Sequence, residues 1–185
     1  MEDNQIISLY WARNDQALAE TAKKYGNYCF SIAYNILSSR EDADESVNDT
    51  YMSAWKRIPP HKPDVLSAFL GKIPRRISLN RWRNQTRKKR GGGEVILALE
   101  ELHECIPSGE DVAHRVEQQE LTRAIAAFLD TLPETERDVF VCRYWYLADI
   151  RKIGSVFGFT ESKVKSMLHR TRIKLRTHLK EEGLV

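Results

Sequence analysis

Apolar residues in this chain recur at intervals of three and four, and no stretch alternates apolar with polar, so the pattern predicts helices throughout. Ile6, Leu9 and Tyr10 mark a short first helix. Leu18, Ala22, Tyr25, Cys29, Ile32, Ala33, Ile36 and Leu37 then form one stripe, as in a helix with a single buried face. Ser39 followed by Asp42 has the form of a capping box. From there Ala43, Val47, Tyr51, Ala54 and Trp55 make a second stripe, which Pro59 and Pro60 stop. Helical spacing resumes at Leu66 and runs through Phe69, Leu70, Ile73, Ile77 and Trp82 to about Arg87, with Pro74 expected to bend or split it. Gly91-Gly92-Gly93 interrupts the pattern, and Pro107-Ser108-Gly109 closes the stretch that follows. A further helix is predicted from Asp111 to Leu129, with Leu121, Ile125, Phe128 and Leu129 inward, and Pro133 opens the next.

The C-terminal third has a more particular layout. Asp149 can cap a short helix burying Ile150, Ile153 and Phe157, Gly158 suits a tight turn, and Thr160 can cap the helix after it. In that last helix Val164, Leu168, Thr171 and Leu175 share one face, while Ser162, Ser166 and His169 lie opposite, flanked by Lys165 and Arg170. Helix, glycine turn and helix alone describe any amphipathic pair as well as a DNA reader. The charge decides between them: Lys163, Lys165, Arg170, Arg172, Lys174, Arg176 and Lys180 face only Glu161 until Glu181. Short polar groups at the start of such a helix can reach base edges while the cations bind phosphates.

Net charge is +3 over 185 residues, but it is unevenly spread. Residues 1–90 carry 16 Lys/Arg against 10 Asp/Glu, residues 91–119 carry 1 against 7, and residues 120–185 carry 12 against 9. The expected architecture is therefore all-α, with two small helical domains (1–90 and 120–185) joined by a flexible acidic linker (91–119), the second domain a helix-turn-helix. Nine cations and no acid lie between Lys72 and Arg90, interleaved with Asn80, Trp82, Asn84 and Gln85, and like charges in that number call for a polyanion. On the predicted helix from Glu41 to Arg57, by contrast, Asp42, Asp44, Glu45, Asn48 and Asp49 lie away from the apolar stripe and suit a basic protein surface.

No nucleophile–base pair, phosphate-cradling loop or metal-ligand spacing is present, so neither an enzyme nor a cofactor is expected. Cys29 and Cys142 sit in apolar patterns and are expected to be buried thiols of a reducing cytoplasm. The polar start Met1-Glu2-Asp3-Asn4 does not form a signal peptide, and no apolar run is long enough to span a bilayer.

These features in this order resemble a bacterial extracytoplasmic-function RNA polymerase sigma factor over nearly the whole chain. Asp42 to Trp55 is similar to the helix by which that family binds the polymerase clamp, and Ile73 to Arg83 to its −10 element helix. Leu132 to Arg137, Ile153 to Thr160 and Val164 to Arg170 resemble the domain that reads the −35 element. The resemblance implies core polymerase contacts at Asp44, Glu45, Asn48 and Asp49. It implies −10 contacts at Arg76, Asn80, Arg81 and Arg83, with His61 and Lys62 in a loop near a flipped base. For −35 it implies Ser162, Lys163, Lys165, Ser166, His169 and Arg170, and it sends the acidic linker along the polymerase's nucleic-acid channels. Its partners would be core RNA polymerase, promoter DNA and an anti-sigma factor. Departures from the family pattern are Asn48-Asp49 for Gln-Glu, Arg76 for Asn, Asn80 for Asp, Gly154 for Ala, and Met167 for Arg. Without the resemblance, a stand-alone helix-turn-helix regulator or an RNA-binding protein fits the same residues.

Overall fold

A computed structural model describes residues 1–86, 93–103, 105–106 and 115–184. Among them all regular structure is helical, and the chain divides into two compact units, Met1–Gly91 and Gly92–Val185.

The first unit contains α1 (Asp3–Trp11), α2 (Gln16–Leu37), α3 (Arg40–Arg57) and α4 (Leu66–Thr86). Helix α2 is central and packs against the other three, with α3 and α4 also touching. Ile6, Tyr10, Cys29, Ala54, Leu66 and Leu70 are all fully enclosed in their common core. The stripe predicted on α2 is right in its C-terminal half but shifts by one residue in its N-terminal half, where Ala17 and Thr21 are buried in place of Leu18 and Ala22. Tyr10 supplies the reason. Its ring is fully buried, its hydroxyl must find a partner, and Thr21 Oγ1 lies 2.9 Å away. At the other edge Asp3 Oδ1 accepts from Lys24 Nζ and from the Tyr25 hydroxyl, each at 2.6 Å, which pins the start of α1 to α2. Burial pushes the Cys29 thiol up to about 12, so it behaves as a small apolar side chain.

Ser39 caps α3 as expected, accepting from the Asp42 amide at 3.3 Å, and the helix ends at Arg57 before the two prolines. Pro74 does not split α4, which is continuous from Leu66 to Thr86. Proline removes the amide that would bond the carbonyl of Leu70, but burial of Leu70, Ile73 and Leu79 on the same helix offsets that loss.

The second unit contains α5 (Gly93–His103), α6 (Arg115–Thr131), α7 (Glu134–Tyr144), α8 (Ile150–Phe157) and α9 (Glu161–Glu181). Helix α9 packs against α6, α7 and α8. Phe128, Val139, Ile153, Val164, Leu168 and Leu175 form the interior of this group. The caps fall where the sequence puts them. Asp149 Oδ1 accepts from the Lys152 amide at 2.6 Å, Thr160 Oγ1 accepts from the Lys163 amide at 3.2 Å, and Gly158 turns the chain with φ +66°. Pro133 is the cap of α7 and not its first helical residue.

Three further expectations need correction. Residues 93–103, assigned to the linker, form α5, with Val95 and Ala98 buried and the helix packed on α7. Of the three thiols, Cys142 is only half-buried while Cys105 is enclosed. Phe157 is half-buried and stacks on Phe159 at 6.2 Å between ring centroids. The start predicted at Asp111 for the next helix lies outside the described residues, as do residues 107–114 of the linker.

Gly154 sits where α8 meets the turn. A Cβ there would lie 2.6 Å from the carbonyl oxygen of Phe159, which is backbone and cannot swing aside. Gly154→Ala gains about 1 kcal/mol of helix propensity but must push the turn away. A net destabilisation of about 1–2 kcal/mol is expected in chemical denaturation, and an alanine variant as stable as the parent would show that the turn relaxes freely.

Candidate nucleic-acid and protein-binding surfaces

Helix α4 separates its charges by face. Lys72, Arg76, Asn80 and Arg83 are exposed and fall within an arc of about 80° at 3.6 residues per turn. Arg75 is turned inward, and burial pulls its guanidinium below the ordinary value. Arg81 lies about 140° around the helix from Arg76 and faces α3. Its Nη1 donates to Glu45 Oε2 at 2.5 Å and its Nη2 to Asp49 Oδ2 at 2.6 Å. Gln85, one turn on, donates to Asp42 Oδ2 at 3.3 Å. Of the four α4 residues expected to contact nucleic acid, Arg76, Asn80 and Arg83 therefore share one open strip. Arg81 is engaged within the protein. Lys72 joins the strip, which the four-residue spacing to Arg76 and Asn80 signals.

The same contacts divide the acidic face of α3. Glu45 and Asp49 point toward α4 and hold Arg81, although 65% and 51% of their side-chain surface stays open to solvent. Asp44 and Asn48 lie on the outer side, where Asp44 meets its own-helix neighbour Arg40 at 3.9 Å. The sequence groups all four as one patch. The structure makes them two adjacent strips, one already carrying a cation.

Between α3 and α4 lies an open cavity of about 730 Å³ lined by Lys56, Arg57, His61, Asp64, Phe69 and Lys72 among others. The His61 ring stacks on Phe69 with centroids 5.3 Å apart and planes 27° from parallel. His61 and Lys62 are both exposed, but Lys62 lines a separate cavity with Asn4, Ile7, Ser8 and Trp11. A flat aromatic surface rimmed by cations and continuous with Lys72 on α4 can take a planar ring and hold the phosphate next to it.

In the second unit Ser162, Lys163, Lys165, Ser166, His169 and Arg170 are all exposed on α9. Lys163 Nζ lies 3.6 Å above the Phe159 ring, a cation–π contact that ties the helix start to the turn. Lys165 Nζ is 4.0 Å from Glu161, which also lies 3.6 Å from Arg151. Met167 is half-buried at the edge of the polar face.

Sequence reasoning misses one cluster. Glu101, on α5, receives Arg143 Nη2 at 3.2 Å, the Tyr144 hydroxyl at 2.9 Å and Arg172 Nη1 at 3.4 Å. Arg172 Nη1 also donates to the Tyr144 oxygen at 2.8 Å, and Arg143 Nη1 to the carbonyl of Ala148 at 3.3 Å. Arg143 is 1% exposed. Burial raises the Tyr144 phenol well above its ordinary value, so it remains a donor. No periodicity marks Glu101, because a carboxylate in an acidic run reads as solvated.

Both units match models of one protein family. Residues 21–88 match the family model for Sigma-70 region 2, and residues 128–177 that for Sigma-70, region 4, together more than half of the chain. The chain is 23% identical over 178 residues to the ECF RNA polymerase sigma factor SigE of Mycolicibacterium smegmatis, covering 93% of this chain and 66% of that protein. It is 22% identical over 173 residues to the ECF RNA polymerase sigma factor SigW of Bacillus subtilis, covering 91% and 92%. A solved structure of CnrH in complex with the cytosolic domain of CnrY is 22% identical over 97% of each chain, with a TM-score of 0.42. The chain belongs to the sigma-70 family of RNA polymerase sigma factors, in the extracytoplasmic-function group. Among the described residues no helix is long and apolar enough to cross a membrane.

Hydrogen bonding from Arg81, reinforced by its charge, holds the Glu45 carboxyl below its ordinary value. A carboxylate with a lowered folded value stabilises the fold above its unfolded value and loses that contribution as pH falls through the folded one. Arg81→Gln should therefore raise the Glu45 value toward that of a free glutamate, followed by NMR of the side-chain carboxyl carbon. An unchanged titration would mean that the ion pair is not held in solution.

Proposed function

We propose that this chain binds core RNA polymerase and directs it to promoters, with the first unit reading and opening the −10 element and the second reading the −35 element. The observation that carries the reading is the arrangement within the first unit. An open cationic strip, Lys72–Arg76–Asn80–Arg83, leads from the His61–Phe69 cavity along one helix, while the neighbouring helix turns an acidic face outward. One surface suits a polyanion with an unstacked base and the other a basic protein, so a single four-helix body can hold both at once.

The residue roles follow. Asp44 and Asn48 meet the polymerase directly, with Glu45 and Asp49 beside them on the strip that also holds Arg81. Arg76, Asn80 and Arg83 contact the −10 strand, and His61 lines the place for a flipped base, while Lys62 opens on a separate cavity beside α1. On α9, Ser162, Ser166 and His169 face base edges, while Lys163, Lys165 and Arg170 bind phosphate. The acidic segment carries no nucleic-acid contact of its own, and the protein acts in the cytoplasm where the polymerase is.

Pull-down with core polymerase followed by reconstituted transcription tests the proposal. Retention on polymerase and promoter-dependent transcripts are expected. DNA binding without polymerase binding would instead support a stand-alone helix-turn-helix regulator. Replacing Asp44 and Asn48 together with Ala should weaken polymerase binding by about tenfold or more while the melting temperature holds, because neither side chain supports α4. Lys165→Gln and Arg170→Gln should each lower the salt slope of promoter binding by about 0.9. Unchanged slopes would take both side chains off the DNA backbone.

A further inference from the structure

Trp11, the last residue of α1, leaves 47% of its surface in solvent. An indole ring is a large apolar surface that ordinarily finds cover or a partner. Trp55 has both, with Tyr10 at 6.1 Å between ring centroids and the Arg13 guanidinium 5.4 Å from its ring. Trp11 has no ring or cation partner among the described residues. Asn4, Ser8 and Trp11 are spaced by four and three, so they make one exposed stripe on α1. With Ile7 at its edge and Lys62 from the loop after α3, this stripe lines an open cavity of about 480 Å³. The Ser8 hydroxyl donates to the Asn4 carbonyl at 2.8 Å, which leaves its oxygen to accept from a ligand. Lys62 is the one charged group among the described lining residues, and no carboxylate of the described residues pairs with it. Helix α1 also precedes the Sigma-70 region 2 match, which begins at residue 21.

We propose that this cavity is a second base subsite, where Trp11 stacks on an unpaired promoter nucleotide beside the one seated against His61, and Lys62 holds the phosphate. The inference rests on the sigma-factor reading above and extends its DNA path past the first cavity. Position is the first argument. His61 and Lys62 are sequence neighbours, with Cα atoms about 3.8 Å apart, yet they line different cavities. The loop is therefore a ridge with an aromatic surface on each side, His61 on Phe69 on one and Trp11 on the other. A strand that passes Lys72 and seats a base against His61 meets Lys62 as the next cation beyond the ridge. Chemistry is the second argument. Drawing one base out of a stack leaves the face of its neighbour uncovered, and an open indole can cover it. Stacking accepts any base, while the Asn4 amide can both donate and accept at a base edge. Charge decides between kinds of partner. A basic protein surface of the sort that suits α3 would meet Lys62 as a like charge, whereas a phosphate gains from it.

The test uses the full chain with core polymerase and a fork DNA whose −10 strand is left unpaired, built on a promoter mapped from transcript 5′ ends. Abasic sites are placed one at a time along the unpaired strand, and binding is measured for each. The parent chain should lose affinity at two neighbouring positions. His61→Ala should become indifferent to an abasic site at one of them. Trp11→Ala should bind the intact strand about tenfold more weakly and become indifferent to an abasic site at the other. Trp11→Tyr keeps a ring and should recover most of the loss, which separates stacking from the packing of α1. Lys62→Gln should lower the salt slope of strand binding by about 0.7. Equal losses for Trp11→Ala on the intact strand and on every abasic strand would overturn the subsite, and so would unchanged binding. A Trp11→Ala chain that binds core polymerase more weakly without DNA would overturn it too, by giving the surface to a protein. A parent chain that binds polymerase but holds no strand at all would remove the sigma-factor reading and the subsite with it, a result that the variants alone cannot produce.

Discussion

A guanidinium that is taken out of water must be given an anion, and Arg143 imposes that requirement on the second unit. It lies on α7 at 1% exposure, at the meeting point of α7, the carbonyl of Ala148 and α9. Removing one partner of a buried pair is worth about 3–5 kcal/mol when the structure cannot readjust. The carboxylate comes from outside the helix-turn-helix, from an acidic run that charge alone would leave in solvent. Together with buried Val95 and Ala98, this pair fixes where α5 lies, and Glu101 also receives Tyr144 and Arg172. Glu101 and Tyr144 also keep Arg172 away from the exposed polar side of α9, leaving that side to shorter groups and to the flanking cations.

The first unit obeys a related constraint with weaker interactions. Helices α3 and α4 carry opposite charge and pack side by side, so some of that charge must meet. Arg81 with Glu45 and Asp49 is where it does. Exposed pairs of this kind contribute about 0–1 kcal/mol each, too little to hold a fold that Ile6, Tyr10 and Leu70 already hold. Their effect is on direction. By satisfying one side of each helix, the contact leaves Arg76, Asn80 and Arg83 facing one way and Asp44 and Asn48 another. A protein that has to touch a polyanion and a basic partner together gains from that separation, because its own charges do not neutralise each other across the unit.

Helix positions, caps and the turn at Gly158 were legible because each depends on near neighbours. Ser39, Asp149 and Thr160 satisfy amides three residues on, a relation visible in any sequence. The family was legible for the same reason, since its motifs are short and ordered. What depended on distant partners was not. Thr21 replaces Ala22 in the core only because Tyr10 needs an oxygen. Cys105 is enclosed and Cys142 partly open because α5 is docked on one side of α7. Arg81 could have been separated from Arg76 by helical angle alone, yet its carboxylate partners lie 32 and 36 positions earlier and no local rule reaches them. Glu101 and Arg143 are 42 apart and offer no pattern at all.

The position of Cys105 turns the thiols into an internal clock. Its sulfur lies 3.6 Å from the carbonyl oxygen of Arg172, sealed where the end of α5 meets α9. Cys29 is enclosed in the other unit and Cys142 is partly open. An alkylating reagent added to the unmodified chain would therefore meet three thiols of graded access. Cys142 would mark the reagent's own pace, and Cys29 the global opening of the first unit. Cys105 would mark each departure of a helix that the amino-acid composition had assigned to a string.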